Sequence, residues 1–577
     1  MDTTTPRVIS VERVDDLPVL FAHLQRLEVA ELLDRHFPSH HLWKGHLSFG
    51  EVVCVWLVFL ASQGDHRLYN LLPWAEQRRL TLQSCLGKPF RALDFHDDRL
   101  ADVLDRLALA EAWDAFETDL NGHTVRVYDL DASLFRIDAT TASSSAQILS
   151  PEGLLQFGHS KDDPLRPQLK IAAAALDPLG LPVSIAVVAG NCADDPLYVP
   201  QIKKVQRSFG QGGKLYVGDC KMAALATRAY LADSGDSYLC PLSEKQLPRQ
   251  DRLALLQPVW QGRQPLRSVY RPQADAQQQA ELVAEGFCYD EVVQAPVDGR
   301  SLQWTERRFV VRSAGFAQAQ QRKLDERLQK ASEQIGRIKQ RQHGRKPLDA
   351  QGMKEAALAI LEQQRLEGLL DAEVVTTLTQ RPVRRYKGRP AQVVQEEGHS
   401  IQLRRQEGAI GRTKEEMGWQ VYATNEAGLD VEKVVWAYRG QYRIEDGWSR
   451  LKGKALSLSP LYLQKEGRMV GLVMLLSVAV RLLSLVEHQA REKLAQAGEA
   501  LRGIYPGQAG RRCGRPSAEL LLGAFEGISL AVVEVAGQPS RHVTPLTPLQ
   551  QRLLVLWDLP PDLFHRITLH CADPPPA

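Results

Sequence analysis

Three acidic residues stand where the predicted secondary structure would expose a side chain. Asp138 closes a strand predicted in FRIDATT, Asp219 closes one predicted in LYVGDCK, and Glu445 lies in a predicted helix. Sites in α/β folds are built at strand ends around the sheet, and carboxylate oxygens are the ligands that Mg²⁺ and Mn²⁺ prefer. Each aspartate taken singly is more often a cap or turn residue. The three acidic residues therefore indicate a functional site only when the elements around them support one.

The helix that contains Glu445 has an unusual face. Its sequence, AYRGQYRIEDGWSRLKGK, belongs to a helix predicted over about 431–452. Offsets of three, four, three and four place five residues on one face: Tyr438, Gln441, Glu445, Trp448 and Lys452. The face is too polar for a core stripe, yet it aligns aromatic side chains that a solvated face seldom aligns. This mixture indicates a helix surface that faces phosphate.

The same segment resembles the Y-x2-R-x3-E-x6-K signature of DDE transposases from bacterial insertion sequences. Tyr438, Glu445 and Lys452 match the signature at its spacing, whereas Gln441 stands where the signature has arginine. The phosphate contact of that arginine is therefore not carried over to this chain.

Other segments extend the resemblance over about residues 125–484, except for an inserted segment that it does not cover. RIDATT and YVGDCKMA are similar to the strands that carry the family's first and second aspartates, and NCADDP resembles the loop after its hairpin. The resemblance implies an α/β, RNase H-like core. In it Asp138, Asp219 and Glu445 are the catalytic residues and bind two Mg²⁺ or Mn²⁺ ions, which stabilise the attacking and leaving oxygens during DNA cleavage and strand transfer.

The resemblance also implies double-stranded DNA as the partner, both the terminal inverted repeats and the target, held by a homodimer on paired ends. The helix residues expected to contact DNA are Tyr438, Gln441, Lys452, Arg439 and Arg443. Two alternatives stay open. Asp129 or Asp131 is an alternative first ligand, and the chain is alternatively a resolvase-like nuclease without strand transfer or a non-catalytic DNA-binding derivative.

Changes of pattern along the chain predict five segments. A helical N-terminal domain for DNA-end binding spans 1–117, and the first part of the core spans 118–243, with a strand from about Thr124 and a hairpin around Asp-Pro-Leu-Gly. The gap of 226 residues between Asp219 and Glu445 is too long for one connection. It predicts a β-rich insertion domain over 244–417. The core resumes over 418–495, and a loosely structured C-terminal region, expected to dimerise, spans 496–577.

The insertion concentrates positive charge that the net charge of +2 conceals. From Ser301 to Arg412 there are 22 Lys and Arg against 13 Asp and Glu, with a dense stretch from Arg381 to Arg389. Beside an active site, this stretch is predicted to contact DNA phosphates. Its central cations are Arg384, Arg385 and Lys387.

Composition and short motifs exclude several other classes of protein. The eight cysteines are scattered without zinc spacing, the N-terminus lacks a secretory pattern, and the apolar runs are too short to span a membrane. We therefore expect a cytoplasmic protein without a membrane partner, and the resemblance implies that it is bacterial and associated with the nucleoid. Motifs for ATPases, serine hydrolases and zincins are absent from the sequence.

Replacing Arg384, Arg385 and Lys387 with Gln should weaken binding to every DNA sequence alike, because phosphate contacts carry no sequence information. The slope of log K against log salt should become shallower by about 0.9 per lost contact. Anisotropy titrations at several salt concentrations measure it. An unchanged slope would make the stretch an ordinary solvated loop.

Overall fold

A computed structural model describes residues 7–569, apart from residues 42, 149, 161, 273–279, 340–347 and 384–391. The predicted phosphate contacts Arg384, Arg385 and Lys387 lie outside the described residues.

The N-terminal part is mainly helical, as its apolar periodicity predicts. Its elements are β1 (Arg7–Arg13), α1 (Leu17–Arg26), α2 (Val29–His36), α3 (Phe49–Gln63), α4 (Leu71–Glu76), α5 (Arg79–Leu86), α6 (Asp97–Leu107) and α7 (Ala110–Tyr128). The N-terminus of α3 is fixed by a capping box in which Ser48 and Glu51 satisfy each other's backbone N–H groups.

The strand predicted from about Thr124 is wrong at its start, because residues 124–128 complete α7. Thr124 is buried and its hydroxyl donates to the carbonyl oxygen of Leu120, one turn earlier. The helical period therefore prevails over the alternation of β-branched residues. The helix ends where Asp129 adopts a positive φ of 49°. The boundary at residue 117 thus falls inside a continuous helix.

The core follows, and its hairpin and its alternation of strands and helices are as the sequence predicts. Its elements are β2 (Leu134–Ser143), β3 (Gln168–Leu176), β4 (Leu181–Ala189), α8 (Tyr198–Phe209), β5 (Leu215–Gly218), α9 (Leu225–Asp233) and β6 (Ser237–Pro241).

The predicted insertion contributes to the same sheet. Its elements are α10 (Arg249–Trp260), β7 (Arg267–Tyr270), β8 (Leu282–Val297), β9 (Arg300–Ser313), α11 (Ala314–Gly336), α12 (Ala350–Gln363), β10 (Leu370–Val383), β11 (Gln392–Arg405) and α13 (Glu407–Glu415). Strands β7, β8 and β9 extend the core sheet. By contrast, α11, α12 and the β10–β11 hairpin enclose a separate small apolar cluster that includes Leu324, Leu328 and Leu361.

The chain then returns to the core. The remaining elements are β12 (Trp419–Thr424), α14 (Val431–Arg439), α15 (Tyr442–Lys452), α16 (Glu466–Ala497), β13 (Leu501–Arg502), β14 (Arg512–Cys513), α17 (Ala518–Gly523), β15 (Ser529–Val535), β16 (Gln538–Val543), α18 (Pro548–Leu556) and α19 (Arg566–Leu569). The described part of the large sheet has the order β4-β3-β2-β5-β6-β12-β9-β8-β7. Strands β2, β5 and β6 are parallel to one another, and the other neighbours are antiparallel.

The prediction of a loosely structured C-terminal region is wrong for residues 496–569. Strand β15 pairs with both β1 and β16, and buried Phe525 stacks on Trp557 and Phe564. These aromatic side chains belong to the same hydrophobic core as the N-terminal helices and the sheet. Glycine and proline content suggested loops, but enough large apolar residues lie between them to build a packed layer.

Helix α16 lies at the centre of this core. Among the described helices, it alone is long and apolar enough to cross a membrane, and 94% of its most apolar stretch is buried inside the protein. The core helix of a folded protein passes the same test of length and composition, so this feature is weak evidence for a membrane span.

Helix α16 approaches α6 closely at a glycine. A Cβ atom on Gly471 would lie 2.0 Å from the backbone oxygen of Leu104, whereas one on Gly467 would meet nothing within 4 Å. Gly471→Ala should therefore lower the free energy of unfolding by about 1–3 kcal/mol through overpacking. The matched control, Gly467→Ala, should be neutral or slightly stabilising because alanine favours helix. Thermal unfolding of both variants measures the difference, and equal midpoints would contradict the close packing.

Candidate active site

The two predicted aspartates lie side by side on neighbouring parallel strands. Strand β2 pairs with β5 up to Ile137 and Gly218, so the next residues along the two strands are Asp138 and Asp219. Asp219 follows the end of β5, as predicted. Asp138 lies within β2, which continues to Ser143 paired with β3 on its other side, so the predicted strand end at Asp138 is wrong. Beyond Ile137, however, β2 has lost its pairing with β5, and this opens one edge of the strand.

A buried tyrosine on α8 holds the carboxylate of Asp219. The Tyr198 hydroxyl donates to Oδ1 of Asp219 at 2.5 Å, and the backbone N–H of Lys221 donates to the same oxygen at 2.8 Å. Burial, followed by the negative charge of Asp219, raises the pKa of Tyr198 well above its usual value. The phenol therefore stays protonated and remains a donor.

Helix α15 lies along β2 and makes two contacts at Asp138 and its neighbour. The indole N–H of Trp448 donates to Oδ2 of Asp138 at 3.0 Å, and the side-chain amide of Gln441 donates to the carbonyl oxygen of Ile137 at 3.4 Å. Glu445 lies between Gln441 and Trp448 on the same helix face. Its carboxylate is exposed and makes no hydrogen bond or ion pair with another described residue.

The same face ends in an ion pair at its C-terminal end. Lys452 donates to Oδ1 of Asp162 at 2.8 Å and to the carbonyl oxygen of Thr141 at 3.4 Å. The predicted polar face thus donates hydrogen bonds to protein acceptors at three of its positions.

The single helix predicted over about 431–452 is two helices, with a break at Gly440 and Gln441. Buried Arg136 on β2 lies beneath the break and donates to the carbonyl oxygen of Ala437 at 2.8 Å. A Cβ atom on Gly440 would lie 2.2 Å from its guanidinium. The break therefore accommodates a buried arginine that sequence periodicity does not show.

Arg136 is neutralised by an acid in the turn between β3 and β4. Asp177 accepts from Arg136 at 2.5 Å and from Arg443 at 2.6 Å. Of the two helix arginines predicted to contact DNA, Arg443 is thus paired within the protein. Arg439 is exposed, with its guanidinium 5.8 Å from the ring centre of Trp436.

Tyr438 lies on the wall of a cleft beside Asp219. Its ring packs 4.7 Å from that of Tyr422. Burial raises its pKa, and the charges of Asp219 and Glu445 contribute to the increase. The cleft has a volume of about 350 Å³, and its wall also includes Phe316. The tyrosine therefore lies within electrostatic range of both the second aspartate and the glutamate.

The described residues contain no group of three or more His, Cys, Asp or Glu side chains that already surrounds a point where a metal ion could bind. The donor types are suitable nonetheless, since Asp138, Asp219 and Glu445 all supply hard carboxylate oxygens. Two of them are held by N–H and O–H donors, and Glu445 is free to turn.

Sequence reasoning missed Tyr198, Arg136 and Asp177. Tyr198 follows NCADDP within the resembling segment, which was the one signal that pointed towards it. Nothing in the sequence pairs Arg136 with Asp177, because they meet only when β2 and the β3–β4 turn come together.

A family model described as a transposase DDE domain matches residues 123–482. The chain belongs to the DDE transposase family. Membership implies an enzyme that cuts and rejoins DNA, and such transposases generally use divalent metal ions. The transposase match begins in α7 and ends in α16, so it includes all three carboxylates.

No curated protein matches the chain. Among solved structures, a cryo-EM structure of the piggyBac transposase synaptic complex with hairpin DNA matches with a TM-score of 0.33 and 9% sequence identity, over 83% of this chain and 76% of that chain. This likeness is too weak to support an argument.

The link between α15 and Asp138 can be tested without removing a carboxylate. Trp448→Phe retains an aromatic ring but removes the N–H donor, and a hydrogen bond to a charged group contributes about 1.5–3 kcal/mol. The matched control is Trp436→Phe on α14, because the buried indole N–H of Trp436 has no partner among the described residues. Thermal unfolding should show a larger loss of stability for Trp448→Phe. Equal losses would mean that the bond to Asp138 does not hold the helix.

Proposed function

We propose that the chain is a DNA transposase of a bacterial insertion sequence, and that Asp138, Asp219 and Glu445 bind its divalent metal ions. The observation that carries the proposal is the strand register. Pairing of Ile137 with Gly218 sets Asp138 beside Asp219, and the hydrogen bond from Trp448 to Asp138 ties α15, the helix that contains Glu445, to the same strand.

The order of the central strands supports an RNase H-like core. Strands β4, β3 and β2 form an antiparallel meander, and β5 and β6 continue it in parallel with β2. This arrangement is the one expected of such a core. The insertion, from α10 to α13, interrupts it between β6 and β12, whose pairing closes the gap.

The three carboxylates would hold Mg²⁺ or Mn²⁺, two ions in the arrangement that we favour. When bound, such ions stabilise charge on the attacking and leaving oxygens of a phosphodiester. The protein's own part is to hold the ligands: Tyr198 orients Asp219, and Trp448 orients Asp138. Glu445 has no competing partner among the described residues, so it can turn towards the two aspartates.

The reaction proceeds in two displacements. In the first, water attacks the phosphorus at the element's end, the bond to the 3′ oxygen breaks, and a 3′-hydroxyl is released while the water proton passes to solvent. In the second, that 3′-hydroxyl attacks a phosphorus of the target, and the target's own 3′ oxygen leaves with a proton. The substrates are the terminal inverted repeats and the target duplex, held by a homodimer at the nucleoid of the bacterial cytoplasm.

The helix-face residues differ in how readily they could contact that DNA. Arg439 is exposed, and Tyr438 lies on the cleft wall next to Asp219. Gln441, Arg443 and Lys452 instead donate to protein acceptors. We propose direct phosphate contacts for Arg439 and Tyr438 first, and for the other three only after exchange of these partners.

Neutral isosteres at the three carboxylates should abolish cleavage while leaving the fold intact. For Asp138→Asn, Asp219→Asn and Glu445→Gln we expect the cleavage rate to fall by at least about 100-fold. Removing only a side chain that hydrogen-bonds to a metal ligand already lowers activity by up to about 100-fold. Duplexes that carry the DNA flanking the reading frame serve as substrate. DNA binding should persist, because phosphate contacts dominate affinity.

Two neighbouring carboxylates provide the controls. Asp446→Asn alters the residue next to Glu445, and Asp131→Asn tests the alternative first ligand. Both variants should cleave as the wild type does, and EDTA should stop the wild-type reaction. Cleavage by Glu445→Gln at the wild-type rate, or cleavage in EDTA, would remove the proposal. Cleavage products without strand transfer would instead favour a resolvase-like nuclease.

A further inference from the structure

A second cleft, strongly basic, lies in the insertion between α10, α11 and α13. It has a volume of about 680 Å³. Five cations and two acids line it: Arg249, Arg252, Lys323, Arg327 and Lys330 against Glu326 and Glu416. The excess of three positive charges contrasts with the near-neutral chain and favours an anionic partner.

This basic cleft lies next to the cleft at the active site. Arg252 and Gln320 line both of them. Asp219 and Tyr438 lie on the wall of the first, and Lys323 and Lys330 on the wall of the second. The cations of α11 therefore line a cleft adjacent to the one that contains the second aspartate.

Several of the cations are not neutralised by the protein. Lys323 and Lys330 are exposed and form no ion pair with a described residue. The Nε atom of Arg252 is buried without a hydrogen-bond partner among the described residues. Arg327 donates only to the carbonyl oxygen of Gln364, which carries no net charge. Arg249 has a close acidic partner, Glu416, at 2.6 Å, and Arg252 has a more distant one, Glu244, at 3.9 Å.

The spacing of the cations on α11 suits a nucleic-acid backbone. Lys323, Arg327 and Lys330 lie at offsets of four and three, so they share one helix face. The face from Lys323 to Lys330 rises by about 10.5 Å. One DNA strand advances about 3.4 Å per nucleotide, so this length corresponds to about three nucleotide steps along the backbone.

We propose that the basic cleft holds the sugar-phosphate backbone of the DNA duplex that continues from the active site. This inference rests on the proposed function for its substrate, and it assigns phosphate contacts to α10 and α11 that are independent of residues 384–389. Lys323, Arg327 and Lys330 contact successive phosphates, and Arg252 contacts the phosphate nearest to the carboxylates.

The test compares two variants that lose the same charge. The cleft variant is Lys323→Gln, Arg327→Gln and Lys330→Gln. The control is Arg322→Gln, Arg337→Gln and Lys354→Gln, three exposed cations outside the cleft. Anisotropy titrations of a fluorescein-labelled 40-base-pair duplex, at salt concentrations of about 50–200 mM, give the slope of log K against log salt.

We expect the slope for the cleft variant to be shallower by about 2.7, which corresponds to three lost contacts at about 0.9 each. The control should change the slope by less than one contact. Equal slopes for the two variants, or no binding of the duplex by the wild type, would overturn the proposal.

Cleavage separates this inference from the proposed function. The cleft variant should recover the wild-type cleavage rate at low salt and saturating DNA, because it loses affinity and not the carboxylates. Asp219→Asn should bind with the wild-type slope and remain inactive under those conditions. If the salt slopes of the cleft variant and the control are equal while Asp219→Asn is inactive, the inference about the basic cleft is wrong and the transposase proposal stands. If Asp219→Asn cleaves normally, the proposed function fails whatever the slopes show.

Discussion

Parallel pairing between β2 and β5 is the constraint on which the geometry of the site depends. The pairing stops at Ile137 and Gly218, so the next residue of each strand faces the same open edge. A shift of one residue in either strand would turn its aspartate to the opposite face of the sheet.

The register is held in turn by the burial of Ile137 and by a second ladder, between β2 and β3, that continues past the site to Ser143. Two carboxylates would repel each other less if they were further apart, but the backbone gives them no freedom to separate.

The second requirement is that α15 stays on β2. A buried arginine, Arg136, connects the strand to the helix pair, and Asp177 neutralises it together with Arg443. Removing one partner of such a buried pair costs about 3–5 kcal/mol, because the other charge is left uncompensated. The helices cannot therefore shift along β2 without breaking this ion pair.

The position of Glu445 is determined by these neighbours, since its own carboxylate has no partner in the described part of the chain. An exposed carboxylate without a partner is suited to bind a divalent cation.

Much of the core could be predicted from the sequence, because its signals are local. The hairpin between β3 and β4, the strands before Asp219 and after residue 417, and the buried α16 all follow from periods of two or 3.6 residues. The prediction that Glu445 lies in a helix is also confirmed, since it belongs to α15. The features that the sequence could not predict depend on contacts between residues far apart in the chain. The break at Gly440 depends on an arginine 304 residues earlier in the chain, and Tyr198 reaches Asp219 only because α8 packs beside β5. The glycine and proline content of the C-terminal region concealed its order. The three insertion strands join the core sheet only through the pairing of β9 with β12.

The account depends on one central claim, that Asp138, Asp219 and Glu445 meet around the same metal ions. Iron(II) bound in place of Mg²⁺ generates hydroxyl radicals in the presence of ascorbate and peroxide, and these cut the polypeptide close to the metal. Fragments identified by mass spectrometry after such treatment would map the site directly, without DNA and without substitutions. The account predicts cuts near residues 138, 219 and 445 together, all suppressed by excess Mg²⁺. Cuts near the two aspartates without any near residue 445, or cuts elsewhere that Mg²⁺ suppresses, would contradict it.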